Sequence, residues 1–172
     1  MPEVQVSVAA PAERATLENL MQLYIHDFSE HWSGGPQGEL GADGRFPAYP
    51  LDAYWREPTH TPLLLRLDGR LAGFALLDAA SHTGQSVDRN MAEFFIVRKH
   101  RRAGAGTAAA QAIFSSYPGV WETAIVRRNL AALAFWRGIV GAHPDVEGLS
   151  EFDVTTPAWN GPVLRFRVRP AG

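Results

Sequence analysis

The segment Arg101-Arg102-Ala103-Gly104-Ala105-Gly106-Thr107 lies between an apolar run, Phe94-Phe95-Ile96-Val97, and an alanine-rich stretch from Ala108 to Phe114. That order predicts a strand, a basic loop and then a helix. Two glycines one residue apart let the backbone approach a ligand closely, and the unpaired N–H groups of a helix start favour an anion there. Arg98, Lys99, Arg101 and Arg102 add fixed positive charge at the same place. A pyrophosphate of a bulky cofactor suits this loop better than a lone inorganic ion, because guanidinium groups pair with phosphate oxygens in a planar fork.

Two cofactor readings compete. Gly104-Ala105-Gly106-Thr107-Ala108-Ala109 satisfies G-x-G-x-x-G/A, the dinucleotide fingerprint, and Glu122 follows at about the 20-residue offset where an acidic residue contacts a ribose. In that fold the first glycine closes the strand directly, whereas here a basic insert intervenes, and Glu122 falls inside Val120-Trp121-Glu122-Thr123-Ala124-Ile125-Val126 instead of at its end. Little chain follows for the remaining strands of a doubly wound sheet. An Arg-x-x-Gly-x-Gly loop needs only one strand and one helix.

Composition narrows the class further. A chain of 172 residues is in the single-domain range and buries on the order of 70% of its unfolded surface. With 16 Lys and Arg against 18 Asp and Glu, the formal net charge is -2, unlike the basic excess of nucleic-acid binders. There is no cysteine, which excludes disulfides, thiolate metal sites and a cysteine nucleophile. The six histidines, His26, His31, His60, His82, His100 and His143, are scattered without metal-ligand spacing, so no metal is expected. No Gly-x-Ser-x-Gly elbow occurs either. Lacking a secretory pattern at its start or a membrane-length apolar run, the chain is expected to be cytoplasmic.

Periodicity supplies the elements. Val4 to Val8 alternates as a half-buried strand, and Pro11 opens a helix whose apolar stripe is Leu17, Leu20, Met21, Tyr24 and Phe28. Ser33 to Pro62 is rich in glycine, proline and aromatics, including Trp32 at its edge, Phe46, Tyr49, Tyr54 and Trp55. It reads as a long functional loop. Leu63 to Leu67 and Leu71 to Leu77 flank Asp68-Gly69, a strong hairpin signal. In the strand Met91 to Val97, alternation puts Glu93 with Phe95 and Val97 on one face. A helix from about Gly104 to Tyr117, a strand from Val120 to Val126, a helix from Asn129 to Ile139 and strands over Glu151 to Thr155 and Val163 to Val168 complete the chain.

Arg101-x-x-Gly104-x-Gly106 after a strand bearing Glu93, followed by Asn129-x-x-Ala132-x-x-Phe135-Trp136, resembles the GNAT superfamily of acetyl-CoA-dependent N-acyltransferases over about Leu63 to Val140. The resemblance implies a single domain over residues 1–172 of α/β (α+β) class, with a mixed, mostly antiparallel sheet of six to seven strands and about four flanking helices. It implies transfer of an acetyl group from acetyl-CoA to a primary amine of a small molecule or peptide, without nucleic-acid or membrane partners and with a homodimer left open. Phe95, Ile96 and Val97 on the strand, Arg101, Arg102, Ala103, Gly104, Ala105, Gly106 and Thr107 in the loop, and Asn129, Phe135 and Trp136 on the later helix are then the cofactor-binding residues.

Glu93 is the candidate base. An alkyl ammonium has a pKa of about 10, so its proton must be removed before attack, and a carboxylate beside Phe94 and Phe95 has its pKa raised by desolvation. A salt bridge to Arg98 or another nearby arginine is the structural alternative. Trp136 stands where the family usually has a tyrosine, and its indole N–H cannot supply a proton to the leaving thiolate. An alkyl thiol has a pKa of about 8.5, so its thiolate is already a fair leaving group and a general acid helps without being obligatory. Trp136 leaves open a second function, a catalytically silent acyl-CoA-binding sensor. Asp27, Glu30, Glu39, Asp43 and Asp52 lie near the aromatic loop and could attract a cationic substrate, or simply face solvent.

Overall fold

The structure is a computed structural model, and it describes residues 3–32 and 34–172. Ser33, where the sequence places the start of the irregular loop, lies outside the described residues. The elements in chain order are β1 (Val4–Val8), α1 (Arg14–Phe28), β2 (Thr61–Leu67), β3 (Arg70–Asp78), β4 (Arg89–Ile96), α2 (Ala105–Ser116), β5 (Gly119–Ala124), α3 (Leu130–Ala142), β6 (Val146–Thr155) and β7 (Asn160–Val168). The seven strands form one sheet in the order β1-β2-β3-β4-β5-β7-β6. All neighbours are antiparallel except β4 and β5.

That exception organises the molecule. β4 and β5 are in register only at Arg89 with Trp121 and Asn90 with Glu122. Beyond this point β4 runs on to Ile96 and β5 to Ala124 with no pairing between them. The sheet splits there, and backbone groups that a neighbouring strand would otherwise satisfy face the gap. A doubly wound parallel sheet is excluded by the same topology.

Local chemistry explains the parts that frame the gap. Asp68 and Gly69 both take positive φ, 47° and 74°, as the tight turn between β2 and β3 demands. Gly73 on β3 is obligatory, since a Cβ there would stand 1.9 Å from the Phe95 carbonyl oxygen on β4. Glu13 accepts from the Ala10 amide at 3.0 Å at the entry to α1, and Asn129 caps α3 by accepting from the Ala132 amide at 3.0 Å.

Two apolar layers cover the sheet. On one face α2 and α3 pack through Phe114, Trp136, Ile139 and Val140 against Trp121, Leu164 and Phe166. On the other, α1 lays Leu17, Leu20, Met21 and Ile25 on Leu64, Phe74, Leu76 and Phe95, and the segment before β2 adds Leu51 and Tyr54. The expected count of about four helices is corrected to three α-helices among the described residues. Four further turns, at Pro11–Glu13, Ser29–His31, Asp52–Trp55 and Arg98–His100, are short 3-10 pieces. Glycines and prolines interrupt the chain from residue 34 to 50, so no apolar stripe there extends far enough to support an α-helix.

Candidate active site

After β4 the chain makes one 3-10 turn, Arg98–His100, and enters α2 through Gly104, whose φ of 81° is left-handed. Arg102 also holds a positive φ of 63°. The first intrahelical bond of α2 runs from the Ala108 amide to the Gly104 carbonyl at 2.9 Å, so the amides just before it are those a helix start offers to an outside acceptor. Gly106 has no room for a side chain without pressing the Phe135 ring, which a Cβ would meet at 3.3 Å. Glycine therefore serves two purposes in this loop: conformation at Gly104 and close packing against α3 at Gly106.

Arg101 is committed elsewhere. Its Nε donates to the Ile96 carbonyl at 2.7 Å, its guanidinium pairs with Asp27, and it lies 5.4 Å over the Phe95 ring. Arg98 pairs with Asp27 at 2.8 Å. Burial works to raise the Asp27 pKa, but the hydrogen bonds from Arg101 and Arg98 outweigh it and hold the carboxyl below its usual range. Arg101 thus ties the loop to α1, leaving the exposed Arg102 as the cation beside Gly104.

A cavity of about 1140 Å³ starts at this loop, passes through the split between β4 and β5 and reaches the α1 face. Of the residues read from the sequence, it is lined by Glu93, Phe95, Ile96, Arg101, Arg102, Gly104, Gly106, Thr107, Asn129, Phe135 and Trp136. Val97, Ala103 and Ala105 do not line it. Ala105 is fully buried beside Leu67 and Ala72, Val97 packs on the α1 face, and Ala103 is exposed in the turn.

Glu93 stands where the cavity crosses the sheet. Its carboxylate accepts from the Tyr24 hydroxyl on one oxygen and from the Tyr49 hydroxyl, at 3.1 Å, on the other. Burial pushes the Glu93 pKa up to about 7, against the two phenolic hydrogen bonds that favour its charged form. Burial and the neighbouring Glu93 charge drive both phenols upward, so they remain protonated donors. The salt-bridge alternative to Arg98 does not form, because Arg98 is engaged with Asp27. Sequence reading assigns Tyr24 to the core stripe and Tyr49 to the loop wall without linking either to Glu93.

Trp136 is buried with its ring 5.1 Å from Phe94 and 5.0 Å from Phe135, both edge-on, and it also lines the cavity. Asn129 caps α3 and lines the same space. Glu122 is not available to any ribose: it is fully buried and receives Ser81, Thr83, the His82 amide and Arg165. Among the acidic residues near the aromatic loop, Asp27 and Glu30 reach the cavity, whereas Asp52 pairs with Arg14 at 2.6 Å and Asp43 accepts from the Arg45 amide. No helix of the described residues is long and apolar enough to cross a membrane.

Comparison with known proteins places this geometry. No curated protein sequence matches the chain. Among solved structures, an acetyltransferase from Thermus thermophilus superposes with a TM-score of 0.62 at 18% identity, covering 98% of this chain and 97% of that one. The PaiA N-acetyltransferase from Thermoplasma acidophilum, solved with coenzyme A, superposes with a TM-score of 0.61 at 9% identity over 97% and 99% of the two chains. The aminoglycoside acetyltransferase AAC(6')-Ib, solved with coenzyme A and kanamycin, gives 0.64 at 15% identity over 97% and 95%. At these identities the likeness is one of fold. The family assignment comes from the sequence: the model of the acetyltransferase (GNAT) family matches residues 17–141, so the chain belongs to the GNAT acetyltransferase family.

Proposed function

We propose that the protein is an acetyl-CoA-dependent N-acetyltransferase acting in the cytoplasm on a primary amine, with Glu93 as the base. The observation that carries this reading is the position of Glu93, a half-buried carboxylate with a pKa near neutrality facing one cavity with the anion-suited loop at Arg102 to Thr107. The residues fit the cosubstrate: Gly104 and Gly106 permit close backbone approach, α2 presents its N-terminus, and Arg102 brings a cation. The coenzyme A named with two of the structural relatives supports the same choice.

Acetyl-CoA supplies an activated acyl group, and the chain's residues do the rest. Glu93 takes a proton from the acceptor ammonium, directly or through one water, freeing the nitrogen lone pair to attack the thioester carbonyl. The N–C bond forms, the nitrogen gives up its second proton to water, the C–S bond breaks, and the electron pair leaves on sulfur as a thiolate that solvent protonates, while Glu93 returns the first proton to solvent. Tyr24 and Tyr49 hold both carboxylate oxygens in place and favour the ionised form against its burial, so that a useful fraction of the base is charged at neutral pH. The gap between β4 and β5 leaves strand-edge N–H and C=O groups for an extended amide-bearing arm.

Trp136 favours one other reading, an acyl-CoA-binding protein without transferase activity, because no tyrosine stands at that place to protonate the thiolate. Release of thiol from acetyl-CoA across an amine panel, together with a thermal-shift titration of acetyl-CoA, decides between them. Transfer to any amine establishes the enzyme. A rise in melting temperature with acetyl-CoA but no thiol release establishes the sensor.

A further inference from the structure

We propose that the acceptor is an aromatic monoamine, an arylalkylamine with one primary amino group, bound between Trp159 on one side and Trp32 and Tyr49 on the other. The inference rests on Glu93 being the base of an N-acetyltransferase and names the substrate class of that site.

Charge counting comes first. Three carboxylates line the cavity: Asp27, Glu30 and Glu93. Asp27 is neutralised by two arginines, and the Glu30 side chain is 77% exposed. Glu93 alone is left to meet an ammonium inside. A polycation would have to lay its second and third charges against Phe28, Trp32, Pro47 and Pro50 or near the guanidinium groups of Arg98 and Arg101, where among the described residues the one further lining carboxylate is Glu30, 77% exposed and screened by water.

The shape of the lining points the same way. Phe28 and Trp32 contact edge-on with centroids 5.4 Å apart, and Tyr24 joins them through Phe28 at 5.5 Å. These rings form a continuous aromatic floor leading to Glu93. Flat rings presented on several sides suit a second aromatic body, which packs offset or edge-on against them.

Trp159 lines the same cavity from the β6–β7 turn. It is fixed there by mutual hydrogen bonds with Thr156, and its indole is backed by His82 at 5.0 Å. The backing is anchored in turn, since the His82 amide donates to buried Glu122 at 2.6 Å. With its ring fixed in this way, Trp159 lines the cavity together with the aromatic floor.

The test compares kcat/KM for tyramine, phenethylamine, hexylamine, spermidine and kanamycin at saturating acetyl-CoA. Phenethylamine and tyramine should exceed spermidine and kanamycin at least tenfold and exceed hexylamine at least threefold. Spermidine or kanamycin as the better acceptor, or hexylamine equal to phenethylamine, overturns this inference and leaves the N-acetyltransferase reading intact. Transfer to no amine overturns that reading, and the acceptor class with it. In the same assay Trp159→Ala should raise the KM for phenethylamine at least tenfold with the KM for acetyl-CoA unchanged, and Trp159→Phe should restore most of the loss. An unchanged phenethylamine KM in Trp159→Ala removes Trp159 from the site.

Discussion

The Tyr24 hydroxyl donates to Glu93 across 69 residues of sequence, from the middle of α1 to the middle of β4. Tyr49 takes the other carboxylate oxygen at 3.1 Å. A base buried enough to have its pKa raised to about 7 is thereby kept from rising further, which leaves a useful fraction ionised at neutral pH.

Removing one of these donors should move the titration and not merely weaken the enzyme. A hydrogen bond to a charged group contributes about 1.5–3 kcal/mol, and about 1.36 kcal/mol corresponds to one pKa unit. Tyr24→Phe should therefore shift the acid limb of kcat/KM upward by about one unit or more, with activity recovering at high pH. A loss of activity that is uniform from pH 6 to 9 would assign Tyr24 a packing role only.

Glu93→Gln should abolish the limb with an apparent pKa near 7 and lower kcat far more than it changes acetyl-CoA affinity. The same substitution has a stability consequence with a definite sign. The folded-state pKa of Glu93 lies above its unfolded value of 4.5, so between about pH 4.5 and 7 the native state binds more protons and parent stability falls as pH rises. Glu93→Gln should remove that part of the slope. Denaturation midpoints of the two proteins measured at pH 5 and pH 8 check it: the parent should lose more stability than the variant over this interval.

Gly104→Ala tests the anion loop. The added methyl meets no atom within 4 Å, so packing does not oppose it, but the φ of 81° does. Left-handed backbone costs a non-glycine residue about 1–2 kcal/mol. The variant should fold with a lower melting temperature and bind acetyl-CoA more weakly, by calorimetry, since relaxation of Gly104 turns the α2 amides away from the phosphates. Unaltered affinity would remove the pyrophosphate from this loop.

What the sequence made legible was local. The hairpin at Asp68-Gly69 and the Asn129 start of α3 each follow from the conformational demands of one or two residues. Strand alternation placed Glu93 on one face of β4, and the resemblance to the GNAT superfamily singled it out as a base. The pairing of Tyr24 with Glu93 did not, because a helical period marks Tyr24 as core without revealing that its hydroxyl projects from that core toward another element. A polar-tipped aromatic within an otherwise apolar stripe was the available signal. Arg101 fits the loop motif, yet its guanidinium is consumed by Asp27 from α1, a long-range contact that no motif records. The split between β4 and β5 is likewise a property of strand pairing across the whole chain.

Trp136→Tyr separates catalysis from packing at the place where this chain departs from the family pattern. Trp136 is only 7% exposed and contacts Phe94, Phe114 and Phe135, so a smaller ring leaves part of its space unfilled. The melting temperature should fall, in line with a loss of about 1–3 kcal/mol for trimming a buried ring. Activity should hold or rise modestly in spite of that, because a phenol can donate a proton that an indole cannot give up. The outcome is read on single-turnover thiol release, which isolates bond cleavage from product dissociation. A parent already turning over at about 1 per second or faster shows that the thiolate leaves unassisted. A parent that is silent with every amine, but acquires slow transfer in Trp136→Tyr, shows instead that the indole blocks the chemistry and that this chain binds acyl-CoA without using it.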